Sequence, residues 1–226
     1  MVRRSRRPMG MAAASRPMND PLDDKALVAF DFDGTMTVRD SFTAFLAWRV
    51  GRARYTLGVL KLTPAILAYL GHRDRGRLKA AAVTQFLKGV PLEKVEAEAR
   101  VFAETHATRL LRPDAVATWK RWRARGARAV IVTASPETIV APFARGLGAE
   151  VLIGTQLAVN TYGQVSGAFA GANCRGAEKV RRLKEVFGED VHLAAAYGDT
   201  DGDKEMLAIA DEKGYRVFIG KPGVRS

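Results

Sequence analysis

A long block of helical spacing is followed, in the second half of the chain, by short apolar runs bounded by polar turns. The run Ala26-Leu27-Val28-Ala29-Phe30 is apolar throughout and ends in acids, which predicts a buried strand of a parallel sheet. Over residues 40–110 the apolar positions keep helical spacing and give no convincing strand. Helices are predicted over 40–50, 55–70, 75–88 and 92–106, broken at Gly51, Gly71 and Gly89-Val90-Pro91. Beyond them the pattern alternates. A helix over 114–125 leads to a strand over 128–132, then to a helix from Pro136 capped by Ser135. A strand at Val151-Leu152-Ile153 and a hairpin turning at Tyr162-Gly163 precede a helix over 176–187. Strands over 192–197 and 214–219 flank a last helix over 203–210. Strand–helix alternation of this kind means an α/β domain around a parallel sheet. The block 40–110 interrupts it and is expected to be a second, smaller domain, leaving 26–39 and 111–226 as the core.

Residues 1–25 read as a flexible basic arm. Arg3, Arg4, Arg6 and Arg7 begin it, and Pro8, Gly10, Pro17 and Pro21 oppose regular structure. No apolar run follows those arginines, so a secretory signal is not expected. Met9, Met11 and Met18 are alternative starts.

Composition narrows the class. The 226 residues are 47% hydrophobic and 27% charged, as in a folded globular protein. No apolar stretch is long enough to cross a bilayer. The single cysteine, Cys174, excludes an internal disulfide framework and a cysteine-rich zinc site, and it fits a reducing cytoplasm. The formal net charge of +12 is uneven: residues 39–89 carry +8, residues 1–25 carry +3, and the remainder is almost neutral. The segment 39–89 is therefore expected to face something anionic: a phosphorylated substrate, lipid headgroups or nucleic acid.

Candidate chemistry gathers at strand ends. Phe30-Asp31-Phe32-Asp33-Gly34-Thr35 puts two carboxylates two residues apart where the first strand ends, with Gly34 free to turn the backbone toward an anion. Tyr197-Gly198-Asp199-Thr200-Asp201-Gly202-Asp203 ends another strand with acids that repel unless a cation neutralises them. Thr133 follows a third strand, and Lys179 sits in the first turn of a helix, where the dipole disfavours it unless an anion is near. Each feature alone also has a plain reading: an acidic turn, a solvated loop, a well-capped helix, a surface lysine.

Together, Asp31/Asp33, Thr133, Lys179 and Asp199/Asp203 resemble, in order and placement, the motifs of the haloacid dehalogenase-like superfamily. The resemblance spans roughly residues 26–222. It implies a Rossmann-like core with a central parallel sheet and, between Asp31 and Thr133, an inserted all-helical cap like that of the phosphoserine phosphatase branch. It further implies phosphomonoester hydrolysis. Asp31 would be the nucleophile and Asp33 the general acid and base. Thr133, Lys179 and Gly34 would hold the phosphoryl group. Mg²⁺ would be bound by Asp31, the Asp33 carbonyl and Asp199, with Asp203 supporting them or Lys179.

Two features bear on the substrate. Where phosphoserine phosphatases carry a glutamate that grips the amino acid, this chain has the shorter Asp40. The runs Arg39-Asp40-Ser41-Phe42-Thr43-Ala44-Phe45-Leu46 and Cys174-Arg175-Gly176-Ala177-Glu178-Lys179-Val180 look more like the phosphatidylglycerophosphatase C proteins and their relatives. Residues 55–71 are largely apolar, with Lys61 the one charge, between Arg49, Arg52, Arg54 and Arg73, Arg75, Arg77. That suits either a buried cap helix or one lying on an anionic membrane surface at its inner face. The expected substrate is a glycerophospholipid phosphate such as phosphatidylglycerophosphate, and the alternative is a small soluble phosphomonoester such as phosphoserine. A peripheral membrane or nucleic-acid binding protein is the reading from a different class. Nucleic acid is disfavoured, because Val116, Trp119 and Trp122 share one helix face as core residues do.

Overall fold

The computed structural model describes residues 26–72 and 75–223. The basic arm 1–25 and Arg73 lie outside the described residues. A five-stranded parallel sheet forms the centre, in the order β3-β2-β1-β6-β7. Its strands are β1 (Leu27–Phe30), β2 (Arg128–Pro136), β3 (Val151–Thr155), β6 (Leu193–Gly198) and β7 (Ala210–Tyr215). A separate antiparallel hairpin joins β4 (Leu157–Val159) and β5 (Val165–Phe169). The first strand is buried at every position, as its unbroken apolar run requires. The order turns back at β1, with β2 on one side and β6 on the other. The crevice beyond the carboxyl ends of β1 and β6 is where an α/β sheet offers a ligand site.

Between β1 and β2 the chain forms α1 (Ser41–Val50), α2 (Arg52–Lys61), α3 (Thr63–His72), α4 (Arg75–Leu87) and α5 (Leu92–Leu110). The chain then returns to the sheet through α6 (Pro113–Ala124). The segments leading into and out of this insert are paired: Val38 N–H donates to Leu110 O at 2.9 Å, and Arg112 N–H to Met36 O at 2.8 Å. The remaining helices are α7 (Glu137–Leu147), α8 (Ala177–Phe187) and the short α9 (Lys204–Ala208).

Aromatic packing ties the insert to the sheet. Phe45 of α1 meets Phe102 of α5 with ring centroids 5.6 Å apart. Phe102 in turn meets Phe143 of α7 at 6.0 Å, and Phe143 meets Phe32 at 5.5 Å. Phe32 separates Asp31 from Asp33, so packing in the insert reaches the acidic loop directly. The hairpin is a second tie, with Thr84 of α4 donating to Gly167 O at 2.6 Å.

Three expectations are corrected. The helix predicted over 55–70 is two helices that meet at Leu62, because Pro64 lacks a donor and is accommodated in the first turn of a new helix. The last strand is 210–215 rather than 214–219, and the helix before it ends at Ala208. β7 is an edge strand with only Ala210 and Gly214 buried, so no apolar run marks it. Third, β2 continues through Ser135 to Pro136, so Ser135 does not cap α7.

Phe102→Ala removes the ring at the centre of the chain of contacts between insert and sheet. It is expected to cost about 3–5 kcal/mol in urea unfolding. A loss below about 1 kcal/mol would mean that the insert does not depend on this packing.

Candidate active site

Lys179 stands at the centre of the site. It lies in the first turn of α8 and is only 1% exposed. Its ammonium donates to Asp31 Oδ1 at 2.6 Å, Val132 O at 2.6 Å and Asp203 Oδ1 at 2.7 Å. Its three protons thus have three acceptors, taken from the end of β1, the middle of β2 and the turn after β6. Burial works against its charge, but Asp31 and Asp203 outweigh it and raise its pKa above the ordinary lysine value.

Asp203 has a second task. Its Oδ2 accepts from the amides of Asp199 at 3.2 Å and Thr200 at 2.9 Å, and from the Thr200 hydroxyl at 3.0 Å. Burial opposes ionisation of Asp203, yet Lys179 and these donors keep its pKa below the usual value. One carboxylate therefore both neutralises Lys179 and shapes the turn that carries Asp199.

The charges do not balance. Asp31, Asp199 and Asp203 each bring a carboxylate oxygen within 4.8 Å of the others, and Lys179 is the cation among them. Burial pushes Asp31 up to about 7 against the pull of Lys179. Burial and then Asp203 raise Asp199 as well. The Thr35 hydroxyl lies 3.3 Å from both Asp31 Oδ2 and Asp199 Oδ1, linking the ends of β1 and β6. Gly34 is required where it stands: its φ is +84°, and a Cβ would lie 2.3 Å from the Asp199 carboxylate.

Asp33 occupies a different environment. Its Oδ1 accepts from the Ser41 amide at the start of α1 at 2.6 Å, and its Oδ2 accepts from the Ser135 hydroxyl. Burial and then Asp40 raise its pKa, with Lys79 opposing. Lys79 of α4 reaches Ser135 Oγ at 3.1 Å and Asp40 at 3.4 Å. Asp40 caps α1 by accepting from the Thr43 amide at 2.8 Å and from its hydroxyl at 2.6 Å. Burial opposes its charge, but Lys79 and Thr43 hold its pKa down.

A cavity of about 450 Å³ opens onto these groups. Asp31, Asp33, Gly34, Thr133, Lys179, Asp199 and Asp203, all expected from the sequence, line it together. Phe42 and Thr43 of α1 and Leu78, Lys79 and Ala82 of α4 form the wall contributed by the insert. Thr133 is fully buried, and its hydroxyl accepts from the Ser135 amide at 3.1 Å. Sequence reasoning did not anticipate Ser135 or Lys79 at this site. Ser135 carries a usable signal, since two residues beyond Thr133 on an extended strand it shares the same face. Lys79 has none, because only tertiary packing of α4 brings it here. Cys174 is buried, and burial pushes its thiol up to about 11.

An α/β sheet that gathers acids after β1 and β6, Thr133 within β2 rather than at the strand end expected for it, and the buried Lys179 of α8 around one cavity defines a hydrolase of the haloacid dehalogenase-like type. The family model for haloacid dehalogenase-like hydrolases matches residues 28–208, and the chain belongs to that family. It is 62% identical over 223 residues to Protein CicA of Caulobacter vibrioides, covering 98% of this chain and 100% of that protein. A structure of a protein of unknown function from Bordetella pertussis Tohama I matches with a TM-score of 0.68 at 21% identity, over 81% of this chain and 86% of that one. A phosphoserine phosphatase solved as a phospho-aspartyl intermediate analogue matches with a TM-score of 0.56 at 24% identity, over 84% and 85%. The fold is that of the phosphoserine phosphatase branch.

Lys179→Met strands Asp31 and Asp203 in a buried site with no ammonium. Breaking a buried pair in this way is expected to cost about 3–5 kcal/mol in chemical denaturation. A loss within about 1 kcal/mol would contradict the central place given to Lys179.

Proposed function

We propose that the protein hydrolyses a phosphomonoester through an aspartyl phosphate formed on Asp31. The supporting observation is the division of labour between two carboxylates that share a cavity but not an environment. Burial raises both carboxyls, but Asp31 is held against Lys179 while Asp33 lies between Ser41 and Ser135. An Asp31 oxygen attacks phosphorus and the ester P–O bond breaks. Asp33, whose pKa burial raises, passes its proton to the leaving oxygen. It then takes a proton from water, whose oxygen attacks the phosphoryl group, releases phosphate and frees Asp31. Lys179, Thr133 and the Gly34 turn hold the phosphoryl oxygens. Residues 40–110 act as a cap over a core made of 26–39 and 111–226.

The donor set suits a hard divalent cation. Three carboxylate oxygens lie within 4.8 Å of one another beside the Lys179 ammonium, and burial raises Asp31 and Asp199, which a bound cation would oppose. Asp203 accepts four hydrogen bonds, against two at Asp31 and one at Asp199, so Asp31 and Asp199 would be the carboxylate ligands. The Asp33 carboxylate turns to Ser41 and Ser135, leaving its main-chain carbonyl as its donor. Mg²⁺, when bound, supplies the charge that keeps Asp31 ionised and offsets the phosphoryl oxygens.

For the substrate we favour a glycerophospholipid phosphate such as phosphatidylglycerophosphate. Phe42, Leu78 and Ala82 give the cavity an apolar wall on the leaving-group side. Phosphoserine is the second reading. Asp40, the counterpart of the glutamate that grips the amino acid, is engaged by Thr43 and Lys79, which supports the first reading. We place the enzyme in the cytoplasm. Its one cysteine is unpaired, and no helix among the described residues is long and apolar enough to cross a membrane. A substrate panel tests the choice: kcat/KM for phosphatidylglycerophosphate in detergent should exceed that for phosphoserine, and the reverse order would select the soluble substrate.

Asp31→Asn keeps the shape of the side chain and an acceptor for Lys179 but removes the nucleophile. Turnover of an aryl phosphate should fall roughly a thousandfold or more while the unfolding midpoint stays near that of the wild type. Retention of a substantial fraction of the activity would remove Asp31 from the mechanism.

Metal binding has a readout apart from activity. The Asp31 pKa rises from 3.8 to about 7 on folding. As pH climbs through that window the unfolded chain loses this proton first, so the metal-free protein should lose stability between those values. Mg²⁺ bound to ionised Asp31 should therefore raise the melting temperature more near neutral pH than at about pH 5. An equal or absent shift at both would contradict the site.

A further inference from the structure

α2 and α3 present a face that nothing in the described structure covers. Leu57, Leu60 and Leu67 are 61%, 63% and 62% exposed. The orientation of α2 is set from its other side. Gly58 is buried against Phe86 of α4, where a Cβ would come within 2.4 Å of the ring, and Tyr55 stacks on the same ring at 5.4 Å. That packing turns Leu57 and Leu60 outward. The backbone ladder continues through the junction, with Leu62 N–H donating to Val59 O and Ile66 N–H to Leu62 O, each at 2.9 Å. Exposed Pro64 and Leu67 follow on α3.

The charge around this face has one sign. No Asp or Glu occurs from residue 41 to 73, and α4, which packs on both helices, has none either. Arg52, Arg54 and Lys61 are exposed on α2 itself. Arg49 is not part of the set, because it is bound to Glu98 at 2.6 Å and to Phe86 O at 3.1 Å. The side chains of Arg73 and Arg75 lie outside the described residues.

We propose that α2 and α3 dock this protein on an anionic lipid bilayer, with the leucines entering the interface and the bases meeting the headgroups. Apolar side chains beside long cationic ones, with no acid within α2, α3 or α4 and Asp74 between α3 and α4 outside the described residues, suit a charged surface that has an apolar interior. The docking uses no residue of the carboxylate centre. It shares α4 with the cavity wall through Leu78, Lys79 and Ala82.

The test is vesicle co-sedimentation of the full chain with phosphatidylcholine alone and with phosphatidylcholine mixed with phosphatidylglycerol, at low and high salt. The wild type should pellet with the mixed vesicles, less so as salt rises. The variant Arg52→Gln/Arg54→Gln/Lys61→Gln should partition about a hundredfold more weakly to the mixed vesicles. The variant Leu57→Ser/Leu60→Ser/Leu67→Ser should lose the fraction that persists at high salt. Circular dichroism and aryl phosphate turnover establish that both variants are folded. Absence of aryl phosphate turnover in the wild type, with pelleting as expected, would fail the phosphatase reading alone. Equal pelleting of all three proteins, no pelleting of any, or binding indifferent to phosphatidylglycerol would overturn the proposal. Sedimentation without vesicles would assign the face to a second copy of the chain and overturn it equally.

Discussion

One buried ammonium holds the site together. Lys179 has three protons and meets three acceptors, each from a different part of the sheet: Asp31 after β1, Val132 in β2, and Asp203 in the turn after β6. A lysine with so little exposure is tolerable only if every proton is bonded and its charge is met. Both conditions hold, and they set the spacing of the strand ends. The same arrangement leaves the carboxylates in excess. Burial is the largest influence raising Asp31 and Asp199, and the neighbouring Asp203 adds to it at both. The centre is therefore built for a further cation and for an anionic group that shares its field.

The insert completes what the sheet begins. Asp31 is positioned by core elements, but Asp33 needs both parts of the chain. The Ser41 amide comes from α1, the Ser135 hydroxyl from β2, and Lys79 spans between them from α4. The aromatic contacts from Phe45 through Phe102 and Phe143 to Phe32 keep these parts in register. Two acids two residues apart are thus fixed by different frames, Asp31 against Lys179 and Asp33 between two serines, while burial raises both. Part of the cavity wall also comes from the insert, through Phe42, Leu78 and Ala82.

What is legible in the sequence is what local pattern encodes. The buried strand before Asp31, the acid-rich end before Asp199 and the helical spacing over 40–110 are visible because their periodicity or composition is distinctive. Thr133 and Lys179 become legible only in combination with the two acid clusters, since each alone fits a bland role. The failures share a cause. β7 is an edge strand of mixed polarity, so its pattern points a few residues too late. Ser135 before Pro136 has the local look of a helix cap, but tertiary contact with Asp33 keeps the strand extended through it. Lys79 lies far along the chain from the groups it meets, and only the packing of α4 places it there. Local signals report the elements; contacts between elements decide the fine structure of the site.

The central claim is that Asp31 becomes covalently phosphorylated during turnover. Rapid acid quench of the protein with an aryl phosphate and Mg²⁺, followed by peptide mass analysis, tests it most directly. The account predicts a mass gain of one phosphoryl group on the peptide containing Asp31, absent from Asp31→Asn and lost on treatment with hydroxylamine. Sustained turnover with that peptide unmodified at every quench time, or the phosphoryl group found on another residue, would contradict it.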